Sequence, residues 1–324
     1  MKLFLKKILF FVLPLLVIVI MMDFYLTNMN SLYKEKANGL AEHANEIEVL
    51  ILGNSHATYG VDPNHFSTYA FNIANVGQSI FFDKELTLQN LDALTQLKYV
   101  FISLDYHSLY FSSQRGERNI WSYYGNGIKY PGDNYKKADI SPFLFGYDPR
   151  VSFSLVKKNI LNKWEFRDED YFIDYDVALG VSRTDTAVKG YISFSGTEEN
   201  VFNNKYYIYR ISQHDNLINN STEEEMVLNE LDELISGLHS KGVTPIFFST
   251  PTFKDYNILL DQDIITHNNL ITNGLCKKYN IEFWDYSYYN NFSIDEFYNA
   301  DHLNKKGAAR FSRILDSRLK LYTN

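Results

Sequence analysis

The pattern of apolar and polar residues predicts short strands that alternate with amphipathic helices. Five short runs are apolar and rich in branched or aromatic residues: 47–52, 69–73, 99–104, 243–249 and 281–285. Four longer segments carry apolar residues at helical spacing: 82–97, 223–241, 262–279 and 304–322. Strands that are apolar on both faces and joined by helices are typical of a parallel sheet covered on both sides. The pattern therefore predicts an α/β fold with a central parallel sheet.

A long apolar segment near the N-terminus predicts a membrane anchor. Residues 8–22 are all apolar and follow Lys2, Lys6 and Lys7. Extended to residue 26, the segment would span roughly 28 Å as a helix, close to the hydrocarbon thickness of a bilayer. No cleavage site of small residues follows, so an uncleaved signal anchor over 1–30 is favoured over a cleaved signal peptide. The lysines favour a cytoplasmic N-terminus, which places a stalk at 31–45 and the remaining chain outside the cytoplasm.

The middle of the chain lacks this periodicity. Between about 105 and 220 the sequence is rich in glycine, proline and tyrosine. A long irregular stretch inside a compact domain is either functional or conceals further elements. We interpret it as an insertion with some helix that lies over the carboxyl edge of the sheet, within one domain over 46–324.

Composition and residue spacing narrow the possible functions. The formal net charge is −8 and no long basic run lies outside the N-terminus, so nucleic-acid binding is not expected. The single cysteine, Cys276, excludes an internal disulfide and a zinc site of several thiolates. The eight histidines are scattered without metal-ligand spacing, and no phosphate-binding glycine loop follows a strand. We therefore expect neither a metal nor a cofactor.

Two motifs carry candidate chemistry. Gly53-Asn54-Ser55-His56 follows the first strand, where ligands bind in parallel sheets, and a serine on such a turn is held exposed. A serine there can also simply cap a helix. His302 lies between the last strand and the last helix, so its ring can reach Ser55 across the same edge. A serine needs such a base because its hydroxyl is a weak nucleophile. The alternative is that His302, beside Asp301, caps the last helix.

Together the two motifs resemble the first and last sequence blocks of the SGNH/GDSL hydrolases. Asp301-His302-Leu303-Asn304 with Gly307 is similar to the last block, and the resemblance covers most of 46–320. It implies a flavodoxin-like three-layer sandwich in which Ser55 is the nucleophile and His302 the general base. It also implies an oxyanion hole formed by the backbone N–H groups of Ser55 and Gly77. The chain is most similar to the membrane-anchored branch, which includes D-alanyl-lipoteichoic acid biosynthesis proteins and SGNH-like acetyltransferases acting on cell-envelope polysaccharides.

Two positions depart from the family pattern. The family has an aspartate three residues before its histidine, where this chain has Asn299. Asp301 is adjacent to His302, and neighbouring side chains in an extended loop point apart. We therefore expect a Ser–His dyad oriented by Asn299 or a backbone carbonyl, or a weakened or inactive site. Asp105 stands where the family has an oxyanion-donating asparagine, although an ionised carboxylate only accepts. His107 is an alternative donor or an ordinary surface residue.

These observations lead to one main functional hypothesis. The protein moves an acyl group, acetyl or D-alanyl, to or from a cell-envelope polysaccharide through an acyl-Ser55 intermediate. A separate multipass membrane protein would supply the acyl group. The alternative is a catalytically impaired SGNH-like scaffold that binds a glycan or a membrane partner, which the departures at Asn299 and Asp105 motivate. A third reading, a secreted lipase-like esterase, requires cleavage of the N-terminal segment.

Overall fold

The structure is a computed structural model, and it describes residues 2–28, 31–112, 122–132, 135–143, 153, 156–157, 189–194, 196–198, 202–219 and 222–323. Contacts divide the chain into two units. The first comprises Met1–Lys34 and Gly116–Asp185, and the second comprises Glu35–Arg115 and Thr186–Asn324.

The second unit contains a five-stranded parallel sheet. Its strands are β1 (Val49–Leu52), β2 (Ala70–Asn72), β3 (Tyr99–Ser103), β4 (Thr244–Phe248) and β5 (Phe283–Trp284). The strand order is β2-β1-β3-β4-β5, and every pair is parallel. This is the order of flavodoxin-like doubly wound sheets. The predicted α/β fold is confirmed at this level, with each predicted strand present in shorter form.

The described residues form helices in both units, and those of the second unit connect the strands and cover the sheet. Those described are α1 (Lys2–Asn28), α2 (Leu32–Glu42), α3 (Ser55–Gly60), α4 (Ile80–Asn90), α5 (Tyr135–Ile140), α6 (Asn204–Asn219), α7 (Glu224–Ser240), α8 (Lys254–Asn257), α9 (Gln262–Tyr279) and α10 (Lys305–Thr323). The bounds of α9 match the prediction, because the Asp261 carboxylate caps its first turn and Asn280, at φ 54°, ends it in a left-handed conformation.

The predicted helix over 82–97 is wrong in its second half. The helix α4 ends at Asn90, and turns follow up to the start of β3. Leu91, Leu94 and Leu97 are nevertheless buried. Their three-residue spacing suits a helix, but consecutive turns bury the same side chains, so the pattern alone could not distinguish the two.

A short antiparallel pair follows β5 and was not predicted. It comprises β6 (Phe297–Asn299) and β7 (His302–Leu303), with Asn299 paired to His302 across the two strands.

Beneath the sheet, an aromatic core joins the strands to α10 through fully buried residues that include Phe101, Phe248, Trp284 and Phe311. This core fixes the strand ends that carry the candidate site.

The first unit contains the apolar helix α1. Its segment Lys6–Asn28 has 23 residues and includes an 18-residue stretch with a mean hydropathy of 2.6. By length and composition it is able to cross a membrane, as a signal sequence also would be. Near its end, the Asp23 carboxylate accepts hydrogen bonds from the Ser141 hydroxyl and the Phe143 N–H. The segment predicted as a stalk contains α2, and its residues from Glu35 onward belong to the second unit.

Candidate active site

The turn of residues 53–55, which carries the predicted nucleophile and is called the nucleophile turn, links β1 to α3. Gly53 has φ 134°, and a Cβ built on it would lie 2.5 Å from the Ser103 Cβ, so glycine alone fits between the two strands. The Asn54 side chain accepts from the His56 N–H at 2.9 Å and so caps α3. The cap is therefore Asn54, which leaves the Ser55 hydroxyl available for another partner.

The structure brings Ser55 and His302 together. The Ser55 Oγ lies 2.9 Å from the His302 Nε2. Ser55 directly follows β1. The strand order reverses between β1 and β3, since β2 lies on one side of this pair and β4 on the other. Doubly wound sheets bind ligands at the carboxyl ends of the strands at such a reversal. His302 does not cap α10, because the Asn304 Oδ1 accepts from the N–H groups of Lys306 and Gly307.

The other ring nitrogen of His302 faces two oxygens, of which the Asn299 Oδ1 is its hydrogen-bond partner. Its Nδ1 lies 3.0 Å from the Asn299 Oδ1 and 3.3 Å from the Asp301 Oδ1. The expectation that the side chains of Asp301 and His302 point apart is wrong. The Asn299 Oδ1 also accepts from the backbone N–H groups of Asp301 and His302, which closes a tight turn. The loop is therefore not extended, and the carboxylate faces the imidazole.

Asp301 lies at the centre of a buried charge cluster. Its side chain is fully buried, and its Oδ2 accepts from Arg210 Nη2 at 2.5 Å and Nε at 3.2 Å. The Nε2 atoms of His56 and His214 lie 3.9 and 4.0 Å from the same oxygen. Burial alone would raise the pKa of Asp301, but His302 and Arg210 hold it well below its usual value. The carboxylate is therefore ionised beside the base.

The imidazole of His302 is kept neutral by its surroundings. Burial lowers its pKa below the usual value, and the nearby charges of His56 and Arg210 lower it further, while Asp301 opposes the shift. A neutral imidazole whose Nδ1–H donates to the Asn299 Oδ1 leaves Nε2 free to accept a proton. The His302 Nε2, 2.9 Å from the Ser55 Oγ, is therefore able to accept the Ser55 proton.

Gly77 lies after β2, as the predicted oxyanion hole requires. It adopts φ 64°, and the Asn75 N–H donates to the Gly53 carbonyl at 3.2 Å, which ties its turn to the nucleophile turn. Within the described part of the chain, neither the Ser55 N–H nor the Gly77 N–H donates to another group. Both amides are thus available to a ligand. Lys36 contacts the Ala74 carbonyl and supports this turn from α2.

Asp105 does not contribute to an oxyanion hole, so that assignment is corrected. Its Oδ1 lies 3.2 Å from the His56 Nδ1, and its Oδ2 accepts from the Ser103 hydroxyl at 2.8 Å. Burial raises its pKa, but His56, together with His107 and the Ser103 hydroxyl, outweighs burial and lowers the pKa to about 2. The carboxylate is therefore committed to the buried imidazole of His56, a pairing that the strand alignment could not predict.

His107 is buried rather than an ordinary surface residue. Its ring stacks on that of His214 with centroids 4.3 Å apart, and its Nε2 lies 3.5 Å from the Asn54 Nδ2. Burial lowers its pKa to about 3, so it is neutral. With His56 and Asp105 it lines a cavity of about 80 Å³ at the carboxyl ends of β3, β4 and β5. Ser55 and His302 do not line that cavity.

The fold also assembles a group with metal-ligating atoms, contrary to the sequence expectation. One ligand atom each from His56, Asp301 and His302 lies within 4.8 Å of the others. His56 is distant in sequence from Asp301 and His302, so spacing rules could not identify the group. Arg210 places a cation 2.5 Å from the Asp301 carboxylate, and the His302 Nε2 is bound to Ser55. The group therefore fits an ion-pair network better than a metal centre.

Three site residues come from α6, which lies in the segment of residues 105–220 that is predicted to be irregular. Tyr206, Arg210 and His214 recur at four-residue intervals and therefore share one face of the helix. Their spacing was the available signal, but its meaning depends on Asp301, some 90 residues away.

Comparison with protein-family models gives no match and comparison with curated proteins gives none that is significant, so the SGNH/GDSL resemblance rests on the motifs alone.

Proposed function

We propose that this protein catalyses serine-dependent acyl transfer or ester hydrolysis, with Ser55 as nucleophile and His302 as general base. One observation carries the proposal: the Ser55 Oγ lies 2.9 Å from the His302 Nε2, while the His302 Nδ1 faces Asn299 and Asp301. Nucleophile, base and a group that orients the base are the three parts that such catalysis requires.

The reaction proceeds in two half-reactions. His302 Nε2 accepts the Ser55 proton as Oγ attacks the acyl carbonyl, and the N–H groups of Ser55 and Gly77 donate to the resulting oxyanion. The imidazolium, stabilised by Asp301, then returns the proton to the leaving oxygen, which leaves an acyl-Ser55 ester. Water or a sugar hydroxyl next gives its proton to His302 and attacks that ester, and the imidazolium returns the proton to Ser55 Oγ as the bond between the acyl carbon and Oγ breaks. All these groups belong to the chain, so the chemistry needs no cofactor.

The proposed substrate is an acyl ester, of acetyl or D-alanyl type, on a cell-envelope polysaccharide. Two features support this: the resemblance of the end motifs to the membrane-anchored SGNH/GDSL branch, and the apolar helix α1. An anchor of this kind, with the catalytic unit outside the cytoplasm, would hold Ser55 near envelope glycans. A multipass membrane protein is then the proposed source of the acyl group.

The test is covalent trapping of Ser55. We expect the full-length protein in detergent to react with a fluorophosphonate, which requires an activated serine but no acceptor sugar. Intact mass should show one adduct per chain, and peptide mapping should locate it on Ser55. Heat-denatured protein is the control and should not react. If the folded protein stays unlabelled, or the adduct lies elsewhere, the proposal fails and the glycan-binding scaffold becomes the better interpretation.

The pH dependence of trapping follows from the lowered pKa of His302. The imidazole accepts the Ser55 proton only when neutral, so the labelling rate falls as pH drops through that pKa. Since the pKa lies below its ordinary value of about 6.5, the midpoint of the acid limb is expected below pH 6.5. Labelling rates between pH 4 and 9, with folding monitored by circular dichroism, would measure it. A midpoint above pH 7 would contradict the neutral, desolvated base.

A further inference from the structure

The face of α6 that carries Tyr206, Arg210 and His214 contacts the turn that carries His302. The Asn299 Nδ2 donates to the Tyr206 hydroxyl at 3.3 Å, and Arg210 donates twice to Asp301. His214 is held at the end of this face by the Tyr256 hydroxyl, 2.9 Å from its Nδ1. The helix thus contacts both Asn299, the hydrogen-bond partner of the His302 Nδ1, and Asp301, the carboxylate beside it.

A contact with Gln213 fixes the side chain of Arg210. Its Nη1 donates to the Gln213 Oε1 at 2.9 Å, which leaves Nη2 and Nε for the Asp301 Oδ2. A guanidinium that uses two donors on one carboxylate oxygen fixes the orientation of the carboxylate. Because Oδ2 is committed to Arg210, Oδ1 is the oxygen that faces His302, at 3.3 Å.

The charge of Arg210 also prepares Asp301 for a role beside His302. A fully buried carboxylate without a partner would take up a proton, since burial disfavours its charged form. A protonated Asp301 could not stabilise the imidazolium of His302, and neutral Asn299 offers no charge in its place. Arg210 is always protonated, so its charge lowers the pKa of Asp301 and favours the ionised carboxylate.

We propose that Arg210 is a positioning residue that fixes and ionises Asp301, so that Asn299 and Asp301 share the work of the missing triad carboxylate. Asn299 orients the imidazole through its oxygen, and Asp301 supplies the negative charge. Arg210 touches no reacting atom and acts through Asp301. The inference rests on the proposed function, and it assigns α6 the role of holding the base.

A double-mutant cycle tests this. Fluorophosphonate labelling rates of full-length protein would be measured for Arg210→Gln, Asp301→Asn and the double variant. A displaced carboxylate is expected to slow Arg210→Gln on the order of 100-fold. In the Asp301→Asn background the same change should have no further effect, because Arg210 then has no charge to hold. Arg210→Lys, which keeps the charge but not the two-donor contact, should lie between.

The control is Lys205→Gln, which removes one positive charge from an exposed position of the same helix and should label like wild type. Wild-type labelling in Arg210→Gln would overturn the proposal. So would an equal slowing in both backgrounds, because Arg210 would then act independently of Asp301. Arg210→Gln leaves a buried carboxylate unpaired and can therefore fail to fold. In that case two variants still test the proposal: Arg210→Lys, which keeps a positive charge beside Asp301, and the double variant, which has no carboxylate at this position.

A second measurement separates this inference from the proposed function. The Nδ1–H proton of His302, observed by NMR after histidine-selective ¹⁵N labelling, reports its acceptors without any reaction. We expect Arg210→Gln to shift this resonance as Asp301→Asn does, and Lys205→Gln to leave it in place. If the wild-type protein does not react with the fluorophosphonate but the resonance moves in this way, the proposed catalytic function is wrong and the positioning role of Arg210 stands. An unmoved resonance in Arg210→Gln overturns that role.

Discussion

Replacing Ser55 by alanine or His302 by glutamine is expected to reduce ester turnover about 10⁶-fold in each case, and replacing both should reduce it no further. The reason is the 2.9 Å contact between Ser55 Oγ and His302 Nε2, which makes the two side chains one catalytic unit. Without the base the hydroxyl is a weak nucleophile, and without the hydroxyl the base has no proton to accept.

The measurement is the steady-state hydrolysis of p-nitrophenyl acetate by full-length protein. Matched controls are Ser240→Ala and His239→Gln, which change the same residue types at exposed positions of α7 and should keep wild-type rates. Residual activity from donors at the oxyanion hole is expected in both site variants. A double variant far slower than either single variant would show that Ser55 and His302 act separately, and would contradict the proposed mechanism.

Replacing Gly53 by alanine is expected to destabilise the fold severely. A Cβ at this position would lie 2.5 Å from the Ser103 Cβ, on a residue with φ 134°. Backbone strain and overpacking should together lower the free energy of unfolding by about 2 to 5 kcal/mol. Because Gly53 precedes Asn54 and Ser55, any folded fraction should also lose the contact between Ser55 and His302.

Gly274→Ala is the matched control. Gly274 lies exposed within α9, and a Cβ there would meet no atom within 4 Å. Alanine should therefore stabilise the helix by about 0.5 to 1 kcal/mol. Thermal unfolding followed by intrinsic fluorescence would compare both variants with wild type. Equal midpoints for Gly53→Ala and wild type would mean that β1 and β3 can separate, and that the nucleophile turn is not held as described.

Local sequence determined the parallel sheet and the helix α9 of this protein. Strands such as Val49–Leu52 must be buried on both faces, and only a sheet covered by helices buries them, so their apolar runs predict both the strands and the layers. The predicted bounds of α9 hold because Asp261 and Asn280 end the helix through contacts within a few residues. Ser55 and His302 could be paired from sequence because strand ends and helix starts lie at one edge of such a sheet.

Only the tertiary structure decided what surrounds that pair. Whether Asp301 faces His302 depends on the turn that Asn299 closes and on Arg210, which α6 brings from a segment without clear periodicity. Asp105 pairs with His56 rather than facing an oxyanion, because packing places that imidazole 3.2 Å from the carboxylate. The spacing of apolar residues along the chain indicates which positions are buried, and that is sufficient to predict strands and helices. The partners of a buried charge arise from contacts between distant segments, and no local pattern encodes which side chain will arrive.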